Sequence, residues 1–266
     1  MDILILYQMP TLVIGLLFVV ILLVALEVGY RIGIWRRRTT SESSGKGEGD
    51  LILTSMYALL GLMLAFTYTF TLSRADLRKH AVIDEANAIG TAFLRAGMTS
   101  EPTRTELRKV LLDYAKTRVV TIETAGTTDQ LRRSLAHTLQ AQSKIWPITE
   151  RMVKARPAGP VEVSIVQSIN EVIDMHTKRL AVSFDRLPWI VLLMLLFLAS
   201  ASLAITGFNA GLSGRMNRWG LTVLILVLAA VMLVITDFDR PVRGFVQVSQ
   251  RSLEDVIRDM EATLSE

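Results

Sequence analysis

Four stretches of this 266-residue chain, residues 9–29, 51–73, 188–207 and 219–236, hold a single charged side chain between them, Glu27. At 1.5 Å of rise per helical residue, runs of about 18–23 residues match a hydrocarbon core roughly 30 Å thick. A water-soluble globule spreads charge along every element, so that class is excluded. The 51% apolar content excludes a disordered chain, and the absence of Cys excludes disulfide scaffolds, thiolate catalysis and iron–sulfur sites. Lipid offers no partner for an open backbone, so each run must be a helix.

The first run is read as a retained span rather than a signal peptide. Its N-terminal flank, Met1-Asp2-Ile3-Leu4, has no positive charge, and the basic cluster Arg31, Arg36, Arg37 and Arg38 follows the apolar stretch. The first loop, 30–50, also carries Lys46, and the last loop, 208–218, carries Arg215 and Arg218 without an acid. Both loops lie on one side of a four-span chain, and Lys/Arg in short loops marks the cytoplasmic side. Residues 39–50 are a Ser/Gly/charge linker, and Gly45-Lys46 lacks the spacing of a phosphate loop.

Residues 74–187 read as helices. Val82, Ala86, Ile89, Phe93 and Ala96 recur at steps of four and three, and no Pro interrupts the chain from Leu51 to Gly97. The second span and this stretch are therefore expected to form one long helix, closed at Gly97. Ser100 is expected to cap the next helix, with Pro102 in its first turn and Leu107, Leu111, Tyr114 and Ile122 along it. A third helix follows Gly126-Thr127-Thr128 with Leu131, Leu135 and Leu139, and Trp146-Pro147 kinks or ends it. After a loop at Arg156–Pro160, a last helix runs from Val161 to Leu187 with Ile165, Ile169, Ile173, Leu180 and Phe184 near one stripe.

The fold class is thus all-α: a four-span helical membrane protein with an extramembranous helical bundle between spans 2 and 3. Its parts are 1–50 (first span and basic loop), 51–73 (second span), 74–187 (bundle), 188–237 (third and fourth spans) and 238–266 (amphipathic C-terminal tail).

No enzyme motif is present, so no catalytic residue, metal or cofactor is assigned. His80 and Asp84 stand at i, i+4, which suits a solvated pair better than a metal site needing three or four ligands. His176 falls on the last helix's apolar stripe and is read as a hydrogen-bonded core histidine. The charge of +4 is diffuse and points away from nucleic acid.

The second span has internal design. Ile52, Met56, Leu59, Met63, Phe66 and Phe70 share one apolar face; opposite lie Thr54, Tyr57, Ala58, Gly61, Ala65, Tyr68 and Thr69, small or hydroxyl-bearing. Two readings are open: helix packing, with Gly61 and Ala65 as a small-xxx-small pair, or a water-filled path. No charged residue sits at mid-membrane, which argues against an ion-coupled transporter and leaves a passive pore possible.

The stretches Asp84-Glu85-Ala86-Asn87-Ala88-Ile89-Gly90-Thr91-Ala92-Phe93, with Ser73-Arg74 before it, and Asp237-Phe-Asp239-Arg240-Pro241-x-x-Gly244 resemble bacterial membrane proteins with a bestrophin-like domain. The resemblance runs from about residue 50 to 255 and marks Arg74, Glu85, Asn87, Gly90, Asp237, Asp239 and Arg240 as motif positions. It implies kinship with bestrophins, pentameric ion channels with four membrane helices per subunit. Their second membrane helix lines the pore, and both termini and the large helical segments lie in the cytoplasm. The acids of a bestrophin calcium clasp have no match here.

The expected function is an oligomeric passive ion channel in the inner (cytoplasmic) membrane, with pore-lining candidates Thr54, Tyr57, Gly61, Ala65 and Tyr68. Its expected partners are the lipid bilayer, further copies of itself and small inorganic ions. The alternative is a non-conducting sensor or scaffold whose bundle binds a partner. Loop charge and the bestrophin resemblance give opposite orientations, and impermeant thiol labelling of intact cells separates them. On the loop-charge reading a cysteine at Ser43 is protected and one at Ala158 reacts; the opposite pattern restores the bestrophin orientation.

Overall fold

A computed structural model describes residues 10–39, 46–120, 127–155, 159–240 and 244–265. Among them every regular element is a helix: α1 Thr11–Thr39, α2 Lys46–Ala96, α3 Thr103–Thr117, α4 Thr128–Gln142, α5 Ile145–Ala155, α6 Pro160–Phe184, α7 Trp189–Ser213, α8 Arg218–Phe238 and α9 Arg251–Ser265. Four segments, carried by α1, the first half of α2, α7 and α8, are long and apolar enough to cross a membrane. The N-terminal flank, Ser43, Ile122, Gly126, Ala158 and Pro241 lie outside the described residues.

The chain divides into two units. The first holds residues up to Ser73, Arg186–Arg240 and Gly244–Val246. Its core stripe on α1 is Ile14, Phe18, Leu22 and Leu26, one residue per turn, packed with Leu60 and Leu64 of α2, Leu195, Ala199 and Leu203 of α7, and Ile225, Ala229 and Met232 of α8. Outward-facing Leu16, Phe66, Phe197 and Trp219 are more than half exposed, a surface that only lipid solvates without penalty.

Lipid tails are as apolar as Leu, so helices in a membrane gain little by hiding Leu from solvent and much by close backbone approach. The spans meet this demand with two Gly-xxx-Gly pairs, Gly29/Gly33 on α1 and Gly207/Gly211 on α7. A Cβ on Gly29 would strike the Ala204 carbonyl, and one on Gly207 the Leu26 carbonyl. A Cβ on Gly211 would lie 2.5 Å from the Tyr30 oxygen. Residue numbers rise together along this seam, so α1 and α7 run parallel, as first and third spans must. Near their C-terminal ends, Arg36 of α1 lies 5.9 Å over the Phe208 ring of α7.

The second unit holds Arg74–Asp185 and Gln247–Glu266. The stripe Val82, Ala86, Ile89, Phe93 and Ala96 is buried throughout, against Leu107 and Leu111 of α3, Ile145 and Ile148 of α5, Ile165 and Ile169 of α6, and Leu253 and Met260 of α9. The expected continuity of residues 51–96 holds, and Gly90 leaves the helix unbroken. The tail residues 251–265 form α9 with that buried apolar edge.

Four local expectations are corrected. Ser100 does not cap α3; the Glu101 carboxylate accepts the Thr105 N–H at 3.3 Å and its hydroxyl at 2.8 Å. Pro147 neither kinks nor ends a helix. It stands in the first turn of the separate helix α5, where its missing N–H has no intrahelical partner to lose. Leu139 is 54% exposed because Thr138 takes the inward position, donating to the Thr117 carbonyl at 3.3 Å. The last bundle helix stops at Phe184 instead of Leu187, since Pro188 biases the residue before it away from helical geometry.

Phe93→Ala should cost about 3–5 kcal/mol of bundle stability, whereas exposed Lys109→Ala should stay within about 0.5 kcal/mol. Gly29→Leu should part α1 from α7 and cost about 1–3 kcal/mol. Denaturant unfolding in matched mixed micelles measures all three; equal midpoints for Phe93→Ala and Lys109→Ala would contradict the stripe.

Candidate functional site

The second half of α6 turns inward with polar side chains. Its buried face reads Ile165, Ile169, Val172, His176, Arg179, so the apolar stripe ends on an imidazole and a guanidinium. They meet Glu85 of α2, which is 0% exposed. Arg118, just after α3, donates through Nε to Glu85 Oε1 at 2.6 Å, and Arg179 Nη1 donates to Oε2 at 2.6 Å. Arg179 also donates to the Arg118 carbonyl at 3.1 Å and to Gln250 Oε1, ahead of α9, at 2.9 Å. One carboxylate thus ties together three helices and the segment leading to a fourth.

Tyr114 extends the cluster. Its hydroxyl lies 3.1 Å from Glu85 Oε1 and 3.2 Å from His176 Nδ1. A phenol has one proton and a carboxylate has none to give, so Tyr114 donates to Glu85 and accepts from His176. This fixes the Nδ1–H tautomer of His176 and leaves its Nε2 an acceptor, buried and without a hydrogen-bond partner among the described residues. Burial first, then the positive Arg118, pushes His176 down to about 4, so it is neutral at neutral pH. Burial, then the Glu85 charge, raises Tyr114 and keeps its proton in place. Burial lowers Arg179, and the Glu85 charge opposes that shift.

Motif positions Arg74, Asp237, Asp239 and Arg240, with Arg78 outside the motif, contact helix ends. Arg78 Nη2 donates to the Asp185 carbonyl at 2.6 Å, and Arg74 Nε lies 3.3 Å from the Asp185 carboxylate, placing two cations at the C-terminus of α6, where the helix dipole favours them. In the first unit, Asp237 sits in the last turn of α8, where that dipole disfavours an acid. It is compensated by N–H donors from Phe245 at 2.9 Å and Val246 at 3.1 Å and by the Thr11 hydroxyl at 3.3 Å. Gly244 permits this return loop, because a Cβ there would lie 2.7 Å from the Asp237 carbonyl. Arg240 Nη1 donates to Thr11 at 3.3 Å, and Asp239 accepts the Leu187 N–H at 2.9 Å, ahead of α7. Asn87 is exposed, and a Cβ on Gly90 would meet only Val256 methyls at 3.6 Å or beyond. Asp84 pairs with Lys178 at 2.9 Å, and His80 is exposed.

On the second span, α2 turns Leu60, Leu64, Thr67 and Thr71 into its unit. Thr54 and Ala65 are exposed, and nothing lies within 4 Å of a Cβ built on Gly61. Tyr57 is half-buried, its hydroxyl 2.8 Å from Thr206 of α7. Tyr68 is 39% exposed and meets the Phe238 ring edge-on at 6.1 Å.

The Bestrophin-like domain family matches residues 16–253, and the chain belongs to that family. The fold is that of bacterial bestrophin homologues. A point mutant of the homologue from Klebsiella pneumoniae shares 12% identity over 95% of this chain and 98% of its own, with a TM-score of 0.66. A second mutant of it gives 11% identity, 96% and 99% coverage, and 0.62. The homologue solved by zinc anomalous phasing gives 13%, 96%, 98% and 0.60. No curated protein matches.

Sequence reasoning found Glu85 through its motif and His176 through its stripe, but missed Arg118, Arg179 and Thr206. The available signal was Arg179 at i+3 from His176, continuing the inward 4-3-4-3 spacing from Ile165. Glu85→Gln removes the carboxylate charge opposite two buried guanidiniums and should cost about 3–5 kcal/mol; Asp84→Asn, in an exposed pair, should cost about 0–1 kcal/mol. The unfolded chain holds His176 near 6.5 and the folded one near 4, so unfolded chain binds more protons between those values. Stability is therefore full above about pH 6.5 and falls by up to about 3 kcal/mol as pH drops towards 4. His176→Gln should flatten that slope in pH-dependent unfolding.

Proposed function

We propose that this protein is an oligomeric passive ion channel of bestrophin-like type, its pore lined by the small, hydroxyl-bearing strip of α2. The observation that carries this reading is the emptiness beside Gly61. Gly29, Gly33, Gly207 and Gly211 are pressed against neighbouring backbone, whereas nothing described lies within 4 Å of a Cβ built on Gly61, and Thr54 and Ala65 beside it on the strip are exposed. A row of small residues gains little from lipid, since it offers few atoms for dispersion contact. It suits a second copy or a water-filled axis, and both require an oligomer. Tyr57 stands at the edge of the strip, held by Thr206, and contributes more to packing than to the lining.

The exposed hydroxyls cost little wherever they face, because Thr54 donates to the Asp50 carbonyl at 2.8 Å and Thr69 to the Ala65 carbonyl at 2.9 Å. Glu27, the one charge in the four apolar runs, pairs with Arg31 at 2.8 Å. With no buried ionisable group at mid-span to couple to a driving ion, passive conduction is the better reading.

Ala65→Leu narrows the path under this proposal and should cut unitary conductance severalfold in planar bilayers with the detergent-purified mass of the assembly unchanged. Met63→Leu, at the edge of the packed face, should leave conductance within about twofold for a near-isosteric apolar change. Loss of assembly in Ala65→Leu would assign the strip to packing between copies. A wild-type protein that is monomeric and electrically silent would return the function to a sensor or scaffold.

A further inference from the structure

We propose that His176 is an acid sensor for the channel, acting on the strip-bearing helix through Tyr114 and Glu85; this rests on the channel reading above. Glu85 Oε1 already takes Arg118 and Tyr114, and Oε2 takes Arg179. The two guanidiniums are donors only. His176 Nδ1 carries the proton that Tyr114 receives. His176 Nε2, buried and without a hydrogen-bond partner among the described residues, keeps a lone pair that can take an added proton without displacing a bond.

An added proton makes His176 a third cation. The groups facing it are Tyr114 and Arg118 from the α3 side, Glu85 from α2 and Arg179 from its own helix, with neutral Gln250 bonded to Arg179 from the segment before α9. Two positive charges already meet one negative charge there, so the imidazolium is driven from its place. Tyr114 then loses the Nδ1–H it accepts, and α6 loses its link through that hydroxyl to Glu85. Glu85 stands on α2, the same uninterrupted helix that carries Gly61 and Ala65. What the cluster loses, the footing of that helix loses. The depressed basicity of His176, at about 4, places the response in acid rather than at neutrality. His80 and His137 are exposed and serve as internal controls.

The test uses the full chain in lipid nanodiscs and planar bilayers between pH 7.5 and 4.5. Two readouts are taken: current, and backbone hydrogen exchange of peptides covering 110–118 and 172–180, corrected for the intrinsic pH dependence of exchange. In wild type, acid should speed exchange in both peptides at least fivefold and change the current at least threefold. His176→Gln should abolish both responses, while His80→Gln and His137→Gln keep them. Tyr114→Phe should keep the exchange response of 172–180 and lose the current response, an outcome that a merely structural histidine would not give. An exchange response that depends on His176 in a silent protein would sink the channel reading and leave the sensor standing. A current that responds to acid equally in wild type and His176→Gln, or wild-type exchange unmoved by acid, would overturn the sensor.

Discussion

A single buried carboxylate organises the helical bundle. Taking Glu85 out of water costs several kcal/mol, and so does burying each of Arg118 and Arg179, so none of the three is stable there without the others. The cluster therefore acts as a register mark. Apolar faces of α2, α3 and α6 would still pack after a small slide or rotation, but the two 2.6 Å contacts to opposite oxygens of one carboxylate would not survive it. Charge-assisted bonds of this kind select one arrangement among several that would bury similar apolar area.

The membrane unit answers a different constraint. With no water to push apolar side chains together, association of spans depends on how closely backbones approach. Gly29, Gly33, Gly207 and Gly211 provide that approach between α1 and α7. Polar groups at the other end of these helices are matched one by one: Asp237 with two N–H groups and a hydroxyl, and Asp239 with the Leu187 N–H. Against this background Thr54, Gly61 and Ala65 of α2 stay exposed, and no atom lies within 4 Å of a Cβ built on Gly61.

The sequence by itself determined that four segments are helices apolar enough to span a membrane, because an 18-residue apolar run has one physical solution in lipid. It determined the buried stripe of residues 82–96 for the same kind of reason, since a 3.6-residue period with no Pro leaves the helix one face to hide. It put His176 inside through its stripe, but not the charged residues that join it. Arg179 looks like an ordinary member of a mixed helix until Glu85, 94 residues before it in the chain, is brought within 2.6 Å of the guanidinium. Nor did it separate the glycines that press on backbone from Gly61, whose added Cβ would meet no described atom within 4 Å, because a glycine's neighbours belong to other helices. Local pattern fixes what a segment must bury, and only the tertiary structure decides what it is buried against.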